Sequence, residues 1–309
     1  MNIHRHLLAC ILFIGMASSG VMGDDYCHDC DYYVGKHGKD TNTGLNWDNA
    51  FLTIQHAIDQ IPHGAPGGDS KKICVASEPG DIYKEDLVCN GKNVEICGEP
   101  GGTFHERVEG VDFTFNPGPT MRGTGTAPVF FTDGTYSGSY NVKIDNFYIN
   151  NGFGKLEGSE TFGGGIYVTA GHNLNLYNCV ITDNYAQQGA GILVGPTSTA
   201  GIENCWFARN GVKTPGQNSN GTAILNRNGV PVVVNDCLAC GALNDWNPMF
   251  PFTGINGSSS FTYEGQHVTS SQTCPRPTNL CASDTDMDGD TDIEDLLNVI
   301  EGWGDTCSP

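Results

Sequence analysis

The side chains best suited to chemistry lie near the carboxyl end. Asp284, Asp286, Asp288, Asp290, Asp292 and Asp295 fall within twelve consecutive positions that also hold Gly289. A twelve-residue loop can enclose a hard cation. It offers side-chain oxygens at positions 1, 3, 5 and 12, a backbone carbonyl at 7, a water-mediated contact at 9 and a glycine at 6 for the sharp turn. Asp284, Asp286, Asp288 and Asp295 stand at positions 1, 3, 5 and 12, Gly289 at 6, Asp290 at 7 and Asp292 at 9. Carboxylates this close repel one another unless a cation sits among them, and no basic residue follows Arg276. The spacing therefore predicts Ca2+ as the ligand. A merely solvated acidic tail would need neither Gly289 nor the periodic apolar run Leu296, Leu297, Val299 and Ile300 that follows.

The loop, a helix expected from Ile293 to Ile300 and the segment Gly302-Trp303-Gly304 resemble the type I dockerin motif of secreted bacterial proteins. That motif is an EF-hand-type element with Asp at position 12 where a sensor EF-hand has Glu, and Asp295 fits it. Position 8, usually aliphatic in dockerins, is Thr291, and one loop is present where a full dockerin carries two. The resemblance implies calcium binding and docking to a cohesin-like or cell-surface partner.

The element that carries this loop must be an exported one. Residues 1–23 read as a signal peptide, with Arg5 ahead of the apolar stretch Leu7–Met16 and small residues before a cut after Gly23. That stretch is too short to span a bilayer, and no later segment approaches the roughly 18–20 apolar residues a span needs. A net charge of −20 argues against nucleic acid or an anionic membrane as partner. Of 13 cysteines, Cys10 leaves with the signal, and the even remainder in an exported chain suggests disulfides whose connectivity the sequence does not give. Cys27 with Cys30 also has the spacing of a zinc half-site, for which Cys237 with Cys240 is the comparable second pair. Cys281 and Cys307 bracket the calcium loop and could clasp it.

The middle of the chain repeats itself. Val142–Phe147, Leu174–Cys179, Gly201–Cys205 and Val232–Cys237 each run as an alternating strand into Asn or Asp and then a buried-type residue, with ends 32, 26 and 32 apart. Gly163–Val168 and Gly189–Val194 repeat at a spacing of 26. Repeats of this length, rich in strands and with 42 glycines to turn corners, point to a parallel β-helix. A β-sandwich is the alternative. In the coil, Asn146, Asn178, Asn204 and Asp236 would stack about 4.8 Å apart as a polar corner ladder. Phe147, Cys179, Cys205 and Cys237 would form an inward row in which free Cys acts as a small apolar residue. The periodicity from Trp47 to Ile61 predicts an amphipathic helix, with Phe51, Ile54, Ala57 or Ile58, and Ile61 on one face. Such a helix could cap the open end of the coil.

This succession, with Tyr33-Val34-Gly35 leading to Asn46-Trp47 and Ala50-Phe51, and with the Gly80-x-x-Tyr83-x-Glu85 piece, resembles the opening turns of the pectate-lyase-like superfamily of right-handed β-helices. The resemblance covers residues 31–240. It implies an all-β, right-handed parallel solenoid and an extracellular polysaccharide as substrate or ligand. Lyases of that superfamily use clustered acids to hold calcium, with Arg or Lys as base, and its hydrolases use paired aspartates.

Neither set is complete in the coil, and the catalytic residues stay unknown. Asp183 and Arg209 fall at equivalent places on adjacent turns and would be stacked neighbours; Arg227 is a third candidate. Gly171-His172-Asn173 has the polygalacturonase-like glycine and histidine without the second glycine, so His172 reads as a turn residue. Tyr185, Trp206, Trp246, Phe250 and Phe252 are aromatics that could stack on sugar rings; alternation places Trp206 outward, where it either meets a sugar or is covered by the insertion Val212–Thr222 or the loop Asn244–Gly257.

The expected organisation is a signal peptide (1–23), a β-helix (24–253), a Ser/Thr/Pro-containing linker (254–283) and a calcium module (284–304). The expected function is a secreted, calcium-binding protein associated with extracellular polysaccharide, as a binder or as a lyase or hydrolase. The alternative is a non-enzymatic surface or matrix protein or adhesin.

Overall fold

Strands such as Asn141–Asp145 and Asn173–Tyr177 form because apolar and polar residues alternate, while others such as Ile166–Val168 and Ile192–Val194 are short apolar runs, and glycines and asparagines between them bend the chain. The computed structural model describes residues 27–77, 81–100, 104–108, 111–115, 118–132, 134–136, 138–169, 171–212, 221–227, 232–243, 255–257 and 261–270. For 104–108, 111–115, 235–236, 238–243, 255–257 and 261–270 it describes the backbone alone. Residues 1–23, expected to be a signal peptide, and the segment expected to bind calcium, with Asp284, Asp286, Asp288, Asp290, Asp292 and Asp295, lie outside the described residues, as do Cys281 and Cys307.

Each turn of the coil is built from three short strands. One turn runs through Asn141–Asp145, Tyr148–Asn150 and Ile166–Val168, and the next through Asn173–Tyr177, Val180–Thr182 and Ile192–Val194. Equivalent strands pair in parallel: Asn141–Asp145 lies in register on Asn173–Tyr177, which lies on Thr199–Glu203. Stacking continues onto Val232–Leu243, a long strand that joins the first two faces into a single 13-stranded sheet. The third face is a six-stranded sheet containing Leu87–Cys89, Phe130–Thr132, Ile166–Val168, Ile192–Val194 and Ile224–Asn226. Parallel pairing between turns excludes the sandwich. The repeat spacings of 32 and 26 are the lengths of individual turns, as the partners Asp145, Tyr177 and Glu203 show. Ile255–Gly257 and Phe261–Ser270 add a further turn inside the segment expected to be a linker.

Inward side chains stack in rows. Ile73, Ile96, Ile144, Leu176, Ile202 and Val234 are successive partners, and all belong to one continuous apolar core. Phe147, Cys179, Cys205 and Cys237 are buried in that core, the three cysteines free, as the repeat implies. Burial in this apolar row, then the neighbouring thiols, pushes Cys205 well above the ordinary thiol value.

At the corner before that row, Asn146, Asn178 and Asn204 adopt left-handed φ of 70°, 52° and 49°. Asparagine tolerates that conformation better than most residues, which is why a single residue can turn the strand. Asn204 Nδ2 donates to Asn178 Oδ1 at 2.7 Å, continuing the expected ladder. Asn178 instead donates to Asp145 Oδ1 at 2.9 Å, and Asn146 to the Gly98 carbonyl at 2.7 Å. The preceding turn has Gly98 at this corner, with no side chain to extend the ladder. A second buried pair was not anticipated. Asn184 Nδ2 donates to Asn210 Oδ1, Ile149 O and Thr182 O, all between 2.9 and 3.1 Å, and Asn210 Nδ2 donates to Ile181 O at 2.8 Å.

The expected helix is shorter than its periodicity suggests. Trp47–Asn49 is a 3-10 turn capped by Asn46, and the α-helix spans Ile54–Gln60 with Thr53 as N-cap. Ile54, Ala57, Ile58, Ile61 and Phe51 are all buried in the core. The zinc reading is corrected: Cys27 bonds Cys97 and Cys30 bonds Cys74, so the first pair is spent in two disulfides that pin the N-terminal segment to the sheet. For Trp206 the sugar-stacking reading is corrected and the covered alternative holds. It stands outside the main core cluster, as an outward residue would, yet it is fully buried and cannot stack on a sugar.

Candidate functional site

On the six-stranded sheet the residues that alternate outward form a row. Val88 lies opposite Phe131, Phe131 opposite Tyr167, Tyr167 opposite Leu193, and Leu193 opposite Leu225. Between Asn150 and Ile166 the chain leaves the coil as an antiparallel hairpin, Lys155–Glu157 with Glu160–Phe162. Its two-residue loop begins at Gly158, with φ of 67°, as a tight hairpin turn requires. Gly163, with φ of 61°, brings the chain back, and a Cβ there would lie 2.5 Å from Tyr167 Cβ.

The hairpin leans over the row. Phe162 packs with Tyr167, Leu193 and Leu225, and the Arg227 guanidinium sits 5.1 Å from the Phe162 ring. Lys155 Nζ lies 4.3 Å over the Phe131 ring, and the Tyr167 hydroxyl donates to Glu157 Oε1 at 3.3 Å. Phe131 and Tyr167 meet at 5.4 Å, tilted by 49°. Leu193 and Leu225 are sealed, Phe131 is half-buried, and Val88 is 38% exposed, so the row opens toward its N-terminal end. Burial, then the nearby Glu157 carboxylate, pushes the Tyr167 hydroxyl up to about 12. It is therefore a hydrogen-bond donor, not a base, near neutral pH. An aromatic face edged by an ammonium, a carboxylate and a hydroxyl can stack on an apolar ring face and bond its polar edge.

Asp183 and Arg209 occupy another corner, where both take left-handed φ, 52° and 48°. They lie on adjacent turns, as the register implies, and the guanidinium donates to the Asp183 carboxylate, which also accepts from Thr182 Oγ1 at 2.7 Å. Their side chains are 14% and 25% exposed. The two candidate groups neutralise each other.

His172 is fully buried, with Nδ1 at 2.8 Å from the Thr169 carbonyl and its ring 5.3 Å from Tyr140, a turn-closing role. Tyr185 is half-buried, and Trp246, Phe250 and Phe252 lie outside the described residues. Glu85 of the Gly-x-x-Tyr-x-Glu piece serves the helix: its two oxygens accept from Ile54 N at 2.9 Å and Gln55 N at 2.8 Å. Among the described residues no three His, Cys, Asp or Glu side chains converge as a metal site. The Phe131, Tyr167 and Lys155 arrangement was missed in the sequence. Its one local signal was the Gly158-Ser159 turn between short alternating segments.

A profile of the right handed β-helix region matches residues 106–244. No curated protein matches the chain. Among solved structures the chain is similar to pectin methylesterase PemA from Erwinia chrysanthemi, with 14% identity, a TM-score of 0.40, and 69% of this chain and 56% of that one covered. A pectin methylesterase in complex with a hexasaccharide is similar at 13% identity and a TM-score of 0.45, over 79% and 68% of the two chains. The GH136 lacto-N-biosidase from Eubacterium ramulus is similar at 12% identity and a TM-score of 0.39, over 77% and 50%. The chain thus spans little more than half the length of the first of these. Its parallel turns and the matching profile make the coil a right-handed parallel β-helix.

Proposed function

We propose that this is an exported protein that binds, and in one form of the reading degrades, extracellular polysaccharide on the strip beneath the hairpin Lys155–Phe162. The observation that carries the reading is the half-open Phe131 ring, held between Lys155 and Tyr167. It offers one apolar stacking surface with charged and hydroxyl groups at its rim. The segment Asp284–Asp295 would hold Ca2+ and, through its likeness to a dockerin, tether the coil to a cohesin-like or cell-surface partner.

One observation favours a protein without turnover, a surface or matrix component: the acid and base candidates Asp183 and Arg209 are engaged with each other. Pectin, polygalacturonate, xylan and galactomannan separate the readings. Each is incubated with the protein, with and without chelator, and assayed for reducing ends and unsaturated uronate. Each is also cast into affinity gels. Retention that Phe131→Ala weakens supports the strip. Neither turnover nor retention on any of the four leaves the structural reading.

A further inference from the structure

The 13-stranded sheet has its own outer face, turned away from the hairpin strip. Its central rows run through Lys143, Asn175, Gly201 and Val233, and through Asp145, Tyr177 and Glu203. The N-terminal part of this face is electrostatically closed. Lys143 Nζ lies 3.0 Å from Glu95 and 3.6 Å from Asp145, and Lys72 lies 3.5 Å from Glu95.

The part around Gly201 is open. A Cβ built on Gly201 would meet a single neighbour within 4 Å, Asn175 Oδ1 at 3.4 Å. The residue does not need left-handed φ, so no backbone demand explains the glycine. The missing side chain leaves a notch in an otherwise continuous row of side chains. Its walls are Asn175 on one turn and Val233, 37% exposed, on the next, with Tyr177 and Glu203 alongside. Among the described residues the Asn175 amide and the Tyr177 hydroxyl have no hydrogen-bond partner.

The geometry points to a second carbohydrate-contacting site at this notch, which takes a neutral sugar residue of an extended glycan. The Asn175 amide and the Tyr177 hydroxyl serve sugar hydroxyls, and Val233 and the Tyr177 ring edge face the apolar side of the ring. Neutrality follows from charge: the lysines on this face are already paired, and Glu203 stands exposed and would repel a uronate. The site shares the glycan partner of the proposed function but uses a different face, so the two fail independently.

The test is affinity electrophoresis of the full chain through gels containing galactomannan or polygalacturonate, with cellohexaose titrated by calorimetry. Gly201→Leu fills the notch, and Asn175→Ala with Tyr177→Phe removes its polar groups without filling it. Thermal melts verify that both variants fold. Retention by galactomannan should fall at least about tenfold in either variant, about 1.4 kcal/mol of binding. Loss in Phe131→Ala with wild-type retention in both notch variants overturns the notch and leaves the hairpin strip standing. Loss in the notch variants with unchanged Phe131→Ala does the reverse. Retention by polygalacturonate alone, or by none of the three probes, overturns the notch.

Discussion

Glu85 and Lys92 hold opposite ends of one helix. The Glu85 carboxylate accepts from Ile54 N and Gln55 N at the first turn, and Lys92 Nζ donates to Ile58 O at 2.7 Å and Asp59 O at 3.4 Å at the last. Both charges complement the helix dipole and satisfy backbone groups that the helix leaves unpaired. The helix face so clamped, Ile54, Ala57 and Ile58, is fully buried in the core beside the first strand of the coil. Glu85→Ala and Lys92→Ala should each lower stability by about 1–2 kcal/mol, read from urea midpoints. A change confined to within 0.3 kcal/mol, roughly the noise of such measurements, would show that the clamp is idle.

The pH dependence of that clamp has a definite sign. Burial raises the Glu85 carboxyl above its ordinary value, against the two backbone donors and Lys36. A group whose folded pKa lies higher stabilises fully below the ordinary carboxyl range and loses that contribution as pH rises through its folded value. The stability difference between wild type and Glu85→Gln should therefore shrink from the acid side toward neutrality. A difference that grows with pH would contradict the burial argument.

From a fully buried position Asn184 Nδ2 shares its two hydrogens among Ile149 O, Thr182 O and Asn210 Oδ1, and its Oδ1 accepts from Gly152 N at 2.9 Å. Asn184→Ala removes this donor from the three oxygens and this acceptor from Gly152 N, and should cost about 1–3 kcal/mol. The same substitution at Asn178, a half-buried corner, should cost less. Equal losses in thermal unfolding would mean that burial is not what sets the value.

The free thiols among the described residues should be silent in the native protein. Burial pushes Cys89 up to about 12 and Cys205 well above the usual thiol range, so the reactive thiolate is scarce at pH 8. Iodoacetamide mapping should label Cys89, Cys179, Cys205 and Cys237 after unfolding and leave them unmodified before. Native labelling of Cys205 would show that the coil opens at that turn.

For the carboxyl-terminal loop, Asp284→Ala together with Asp288→Ala removes two oxygens of the proposed cage. Calcium binding by calorimetry should disappear while the far-ultraviolet circular dichroism of the coil persists. Unchanged affinity in the double variant would place the ion elsewhere.

The repeat itself was legible. Alternation in Val142–Ile144 and Leu174–Leu176, and the recurring Asn before a small apolar residue, named which residues stack on which, because a parallel coil forces equivalent positions into register. Asp183 beside Arg209 followed from the same register. What the sequence could not decide depends on which faces are covered. Trp206 alternates outward like an exposed residue and is buried all the same. Phe131, Tyr167 and Lys155 come together only because a hairpin folds back across turns, a packing that local periodicity does not encode. The cysteine partners were equally hidden, since Cys27 and Cys97 are joined across 70 positions by the stacking of the sheet. Spacing along the chain fixes what lies in register; only the tertiary structure fixes what lies on top.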